Sequence, residues 1–286
     1  MSRIRRRRLT FDFGLGSLFL LAFLAVAFAV PLLPFYAPYD QDLGAGLVEP
    51  FTTVADRQYW LGADALGRDY LSRLSLAARV SLVISLVAVA ISMTMGVALG
   101  LVAGFFRGPI EAVIMGLADL QLAIPRVLLL IAAAAVFGSS VGMLTLLLGL
   151  TSWVTYGRLA RAMALSLRER EFVLAAVTQG ATPTWNIRKH LLPNVLPNMA
   201  IIASFEFGQI IVLEASLSYL GLGVQPPLPS LGLMINEGQL YLELSPWLSV
   251  LPGLVIFSLV AGTQFISQRF THDGEGDAAA SRVPSV

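Results

Sequence analysis

The chain has 286 residues, 56% of them hydrophobic and 13% charged, with a mean hydropathy of +0.76. Soluble domains are roughly half apolar and a quarter charged, so the expected solvent for this chain is a bilayer. A formal net charge of +1 says nothing about nucleic acid, since the arginines are spread over loops rather than gathered on one face, and no nucleic-acid partner is expected; the lack of cysteine excludes disulfides, thiolate metal sites and Cys nucleophiles.

A spanning helix needs about 20 mostly apolar residues. Six stretches qualify, near 15–37, 80–106, 111–137, 142–165, 196–221 and 247–268. The fold class expected is therefore all-α and integral to the membrane, with six transmembrane helices. Residues 1–14 carry five arginines between Arg3 and Arg8, and a second basic group (Arg158, Arg161, Arg168, Arg170, Arg188, Lys189) brackets the connection between the fourth and fifth helices. The positive-inside rule puts both in the cytoplasm, and an even number of crossings returns the C-terminus there.

The stretch 15–37 reads as an anchor. Its Ala27-Phe28-Ala29 triplet also fits a signal-peptide cleavage site, but apolar character continues through Val30 to Tyr36, too far for a signal and suited to an aromatic belt. Residues 38–79, with six acids against four arginines, are expected outside. Their last part, Tyr70 to Arg79, puts Leu71, Leu74 and Ala78 on one face and Arg73 and Arg79 off it, which predicts an interfacial helix. In the second span Gly96, Gly100 and Gly104 form a smooth strip for close helix packing, within the bundle, against a neighbouring subunit, or against a second copy.

Charges at bilayer depth usually face a cavity or a partner. Asp119 and Arg126 are seven apart, about two turns, and are expected on one side of the third helix with Pro125 as a kink between them. With Glu206 and Glu214 they are candidates for a polar translocation path or gate. The alternative is structural pairing at a seam. Glu214, beside Ala215-Ser216 and before Gly221-Leu222-Gly223, suits a hinge near the outer mouth. The two histidines, His190 and His272, fall in cytoplasmic segments, so no His-based catalytic or metal centre is expected in the membrane. The single lysine, Lys189, follows no Gly-rich loop, so the chain has no P-loop.

Between the fourth and fifth spans, Arg170 to Pro193 reads as a helix-turn-helix. Phe172, Ala175 and Ala176 repeat at helical spacing, Gly180 supplies a turn, Thr182-Pro183 is an N-cap followed by the first residue of a second helix, and Pro193 is expected to end it. Beyond the sixth span, residues 269–286 form a tail, small and polar from Thr271, for which disorder is expected. No internal repeat is visible.

Ala175-Ala176-x-x-x-Gly180, followed by Leu192-Pro193, resembles the cytoplasmic coupling loop of ABC importer permeases, whose pattern is Glu-Ala-Ala, three residues, Gly, nine residues, Ile-x-Leu-Pro. Leu174 stands where that Glu is usual and His190 where Ile is; Glu171, one turn earlier, is a substitute for the missing acid. Leu61 to Asp69 leading to Ala78-Arg79-Val80-Ser81-Leu82, Asp119-x-x-x-x-Ile124-Pro125, and Leu213 to Pro227 extend the resemblance over about residues 15 to 268 and narrow it to the C-type permeases of dipeptide, oligopeptide and nickel importers. The C-terminus departs from the Gly-Asp and Arg-Asp rich ending of many relatives.

The resemblance implies an importer-type core of five helices within 80–268, a coupling loop at 168–194, and an added anchor helix at 15–37. It also implies a second homologous permease, two cytoplasmic ABC ATPases that use ATP and Mg, and an extracytoplasmic binding protein that selects the cargo. This chain itself would bind no cofactor or metal and would not be an enzyme; its place would be a bacterial or archaeal cytoplasmic membrane. Peptides are the expected cargo, with nickel complexes or glutathione-like molecules as alternatives. A secondary transporter would need inverted repeats and an intramembrane enzyme a catalytic pair at membrane depth, and neither is visible.

Overall fold

The computed structural model describes the backbone of residues 3–280 and the side chains of residues 13–267. The side chains of Arg3 to Arg8 and of His272 thus lie outside the described residues. Helix α1 (Arg3–Leu24) runs into a π turn, Ala25–Ala29, and a 3-10 turn, Val30–Leu32. A hairpin follows, β1 (Thr52–Val54) and β2 (Arg57–Tyr59), and then α2 (Tyr70–Phe106), α3 (Gly108–Leu122), α4 (Arg126–Phe137), α5 (Val141–Thr151) and α6 (Trp153–Leu167). The chain continues through α7 (Glu171–Thr178), α8 (Pro183–Asn186), a π turn at Ile187–Leu191, α9 (Leu192–Tyr219), α10 (Leu231–Gln239) and α11 (Trp247–Ala280).

Two compact units are present. One holds Met1–Ser85, Gly138–Leu144 and Ile211–Val286; the other holds Leu86–Phe137 and Thr145–Ile210.

In the first unit α1 packs along α11. A Cβ on Gly16 would sit 2.7 Å from that of Phe265, and one on Gly262 would sit 2.9 Å from the Leu20 nitrogen, so both glycines allow the helix backbones to approach. Phe19 meets Phe257 edge-on at 5.4 Å. The β-hairpin pairs Thr52 with Tyr59 and Val54 with Arg57, and its turn residues Ala55 and Asp56 both have positive φ, as a two-residue primed turn requires. Beneath it Ala45, Tyr59 and Ala63 form a small core.

Tyr70 to Arg79 is not a separate interfacial helix. It forms the first turns of the 37-residue α2, capped by Asp69, whose carboxylate accepts from the Ser72 amide at 2.8 Å. Arg73 is buried because two carboxylates, Asp64 and Glu237, neutralise it there, which amphipathic spacing alone does not reveal.

In the second unit the glycine strip of α2 faces α6. A Cβ on Gly96 would sit 2.4 Å from the Trp153 carbonyl, on Gly100 2.3 Å from that of Gly157, and on Gly104 2.7 Å from the Ala164 Cβ. The seam continues into a core of Val97, Leu101, Tyr156, Ala160, Val173, Leu191, Val195 and Met199.

Four helices among the described residues are long and apolar enough to cross a membrane: Phe13–Leu32, Tyr70–Phe106, Pro183–Tyr219 and Trp247–Ser267. A fifth is present if α3 and α4, bent by 90° at the break before Arg126, count as one. The expected single span 142–165 is two helices that meet at Ser152, neither long enough alone. Hydroxyls compete for the backbone there: Thr151 Oγ1 donates to the Leu147 carbonyl at 2.8 Å, and Gln121 Nε2 donates to the Thr151 carbonyl at 2.6 Å. The tail differs too, since α11 continues to Ala280; extending a formed helix needs no new nucleus. Residues 281–286 lie outside the described residues.

Candidate coupling segment and membrane charges

Leaving α6, the chain is tied back by Arg168, whose Nη1 donates to the Phe105 carbonyl at the end of α2 at 2.8 Å. Helix α7 then turns one side inward. Val173 is 1% exposed and joins the core described above, while Phe172, Leu174 and Val177 are each about half exposed. The end of α7 is a Schellman motif: the Gly180 amide donates to the Val177 carbonyl and the Ala181 amide to the Ala176 carbonyl, both at 3.0 Å. Gly180 has φ of +88°, the left-handed geometry the motif requires, with open space where a Cβ would lie. Thr182 caps the next helix by accepting from the Trp185 amide, with Pro183 at its first position.

Pro193 does not end the segment as expected. The π turn over Ile187–Leu191 widens the helix just ahead of it, so the missing amide proton falls in the first turn of α9 and the helix runs on to Tyr219. His190, where the family pattern has Ile, stands edge-on to Phe172 at 5.5 Å and to Trp185 at 5.0 Å, so its ring ties α7 to α8 much as an apolar residue would. Leu192 is half-buried and Pro193 exposed.

These elements leave an open notch of 380 Å³ lined by Ala176, Gln179, Gly180, Ala181, Thr182 and Trp185. Small side chains and Trp185 line it, Phe172, Leu174 and Val177 are exposed on α7, and Glu169, Arg170, Glu171, Arg188 and Lys189 are exposed along the same segment. Exposed large apolar side chains interspersed with charged ones are a feature of protein interaction surfaces. Ala175 is exposed on the same helix. Leu174 adds apolar area where the family has an acid, and Glu171 sits in the first turn of α7, where a carboxylate favours the helix N-terminus. Trp185 is the lining residue that the reading of small residues did not single out; a tryptophan in the short polar stretch after Thr182-Pro183 is the signal that could have found it.

The membrane charges divide differently from expectation. Asp119 and Arg126 do not face one another, because α3 stops at Leu122 and the 90° bend intervenes. Asp119 pairs with Arg158 of α6 at 2.5 Å. Arg126 bonds Ser152 and lies 3.7 Å from Glu206, which also accepts from Thr155 at 3.0 Å. Glu214 is fully buried in the other unit, accepting from Ser218 Oγ at 2.8 Å with Ser81 and Ser230 beside it. Its surroundings are close-packed: a Cβ on Gly232 would sit 2.0 Å from the Ala215 carbonyl. A further buried set was not anticipated. Asp64 accepts from the Leu66 and Arg68 amides and from the Arg68 side chain at 2.7 Å, and it also holds Arg73, which reaches Glu237 at 2.9 Å.

Residues 96–272 match the family described as binding-protein-dependent transport system inner membrane component. The chain is 33% identical over 275 residues to the glutathione transport system permease protein GsiD of Pectobacterium atrosepticum, covering 94% of this chain and 87% of that protein. It is 37% identical over 271 residues to the di/tripeptide transport system permease protein DppC of Pseudomonas aeruginosa, covering 93% and 88%. Among solved structures, an inward-facing conformation of the MetNI methionine ABC transporter shares the fold, with a TM-score of 0.53 at 18% identity over 70% of this chain and 95% of that one. With the family match over most of the chain, this is a multi-pass membrane protein that belongs to the inner membrane components of binding-protein-dependent transport systems.

Proposed function

We propose that the chain is one of two permeases of an ATP-driven importer that passes di- and oligopeptides, delivered by an extracytoplasmic binding protein, across a bacterial or archaeal cytoplasmic membrane. The observation that carries this reading is the open notch between α7 and α8, lined by small residues and Trp185, on a helix that Val173 holds to the core and that exposes Phe172, Leu174 and Val177. A surface of this kind suits docking by a soluble ATPase, and two such ATPases, using ATP and Mg, would drive the pathway from the two coupling segments. ATP binding draws the ATPases together, α7 and α8 carry the motion into α6 and α9, and hydrolysis resets the path. In this reading the chain crosses six times, α5 and α6 together making the fourth crossing, and both chain ends lie in the cytoplasm with the basic residues that flank the coupling segment.

Peptide cargo is supported by the names of the relatives. The glutathione permease among them brings γ-glutamyl tripeptides within the same class. The test is reconstitution of the permeases, the ATPases and the binding protein in vesicles, with uptake of labelled dipeptide followed with and without ATP. Uptake that needs ATP and the binding protein is expected; uptake without the ATPases contradicts the proposal.

A further inference from the structure

The polar strip of α6 has an arrangement that coupling and packing leave unused. Thr155, Arg158 and Arg161 recur every three residues, about 4.5 Å apart along the axis. Each meets a carboxylate from another helix of the same unit. Thr155 bonds Glu206, which faces Arg126; Arg158 pairs with Asp119; Arg161 pairs with Glu111. Three rungs therefore hold one arginine and one carboxylate apiece, and no rung carries net charge.

Two cavities open onto this ladder. One of 200 Å³ is lined by Gln121, Arg126, Ser152 and Thr155, and one of 550 Å³ by Glu111, Asp119, Arg158 and Arg161. The rungs are not sealed. Arg158 and Asp119 side chains are 50% and 66% exposed, while at the buried rung Arg126 Nε and Glu206 Oε2 have no hydrogen bond among the described residues and so have bonding capacity to spare. A pair that loses little by opening can exchange partners.

We propose that this ladder is a cargo-contacting surface that selects for zwitterions. A peptide ammonium takes a place beside Asp119 while its carboxylate takes one beside Arg158, so each rung trades one ion pair for two without changing the charge of the path. A bare cation meets an arginine at every rung and gains nothing comparable. The proposal rests on the importer reading and names the residues that would give it a charge preference.

The experiment uses the complete importer in vesicles and compares uptake of Ala-Glu with uptake of Ala-Lys. The preference of the binding protein divides out when variants are compared by this ratio. Asp119→Asn leaves the charge of Arg158 uncompensated and is expected to raise the Ala-Glu to Ala-Lys ratio on the order of 3-fold, while Arg158→Gln lowers it by a similar factor. If either variant fails to assemble, Glu111→Gln and Arg161→Gln carry the same signs at the next rung. Equal slowing of both dipeptides, or no effect on either, overturns the proposal and makes the pairs purely structural. An unaltered complex without ATP-dependent peptide uptake overturns the importer reading beneath it.

Discussion

Gly180 holds φ of +88° with empty space where a side chain would go, so the cost of replacing it is conformational and not steric. A β-branched residue there costs about 1–2 kcal/mol in a left-handed conformation, enough to remodel the turn between α7 and α8 without unfolding the protein. Gly180→Val is therefore expected to reach the membrane at normal levels and to lose uptake while ATP hydrolysis by the complex continues; Gly180→Asn, which tolerates this geometry, should transport. Unchanged uptake by the valine variant would remove the turn from the mechanism. Asp64 is a second decisive residue. Its carboxylate is 9% exposed and faces the 3% exposed Arg73, so Asp64→Ala leaves that buried cation with Glu237 alone, at a cost of up to about 3–5 kcal/mol. Thermal unfolding of the purified protein should show a clear fall in Tm; a Tm within error of the parent would mean that Glu237 alone satisfies Arg73.

At the scale of elements, the strip Gly96, Gly100, Gly104 fixes how α2 meets α6. A Cβ on Gly100 would lie 2.3 Å from a backbone carbonyl, which cannot rotate away. Gly100→Val should destabilise by about 1–3 kcal/mol or more and lower the yield of folded protein, read by size-exclusion recovery. On the notch, Trp185 is the largest exposed apolar side chain, and Trp185→Ala is expected to weaken ATPase docking by about 2 kcal/mol, roughly 30-fold in affinity, with little change in Tm. Equal recovery of ATPase with the tryptophan and alanine forms would move the docking surface elsewhere.

Much of this anatomy was legible in the residues. Gly180, Thr182 and Pro183 announce a helix end and a helix start because their backbone preferences are local, and the glycine repeat announces close packing because its period is helical. What stayed hidden was non-local. The break at Ser152 depends on hydroxyl and glutamine bonds to helix carbonyls, the burial of Arg73 depends on Glu237 far along the chain, and Pro193 escapes its usual effect because a π turn precedes it. Asp119 and Arg126, expected on one side of the helix from their spacing of seven, are separated because the bend between them is 90°. Two residues on one helical face in sequence share a face in space only while the helix is straight.

For the whole molecule, the parts divide the labour. One unit packs the N-terminal helix on α11 and carries the small hairpin core; the other joins the coupling segment, the glycine seam and the charged ladder of α6 in one body. The same helix, α6, thus ends where the coupling segment begins and lines two cavities along its length. Packing is continuous from α7 to the ladder helix, since Val173 shares a core with Tyr156 and Ala160 of α6. In the proposed importer this body is moved by other proteins. The most direct measurement is extraction of the chain from its own membranes in mild detergent, followed by mass spectrometry of what remains bound. A second homologous permease and P-loop ATPases are the predicted companions; a lone protein or a homo-oligomer that still transports in vesicles would contradict the account.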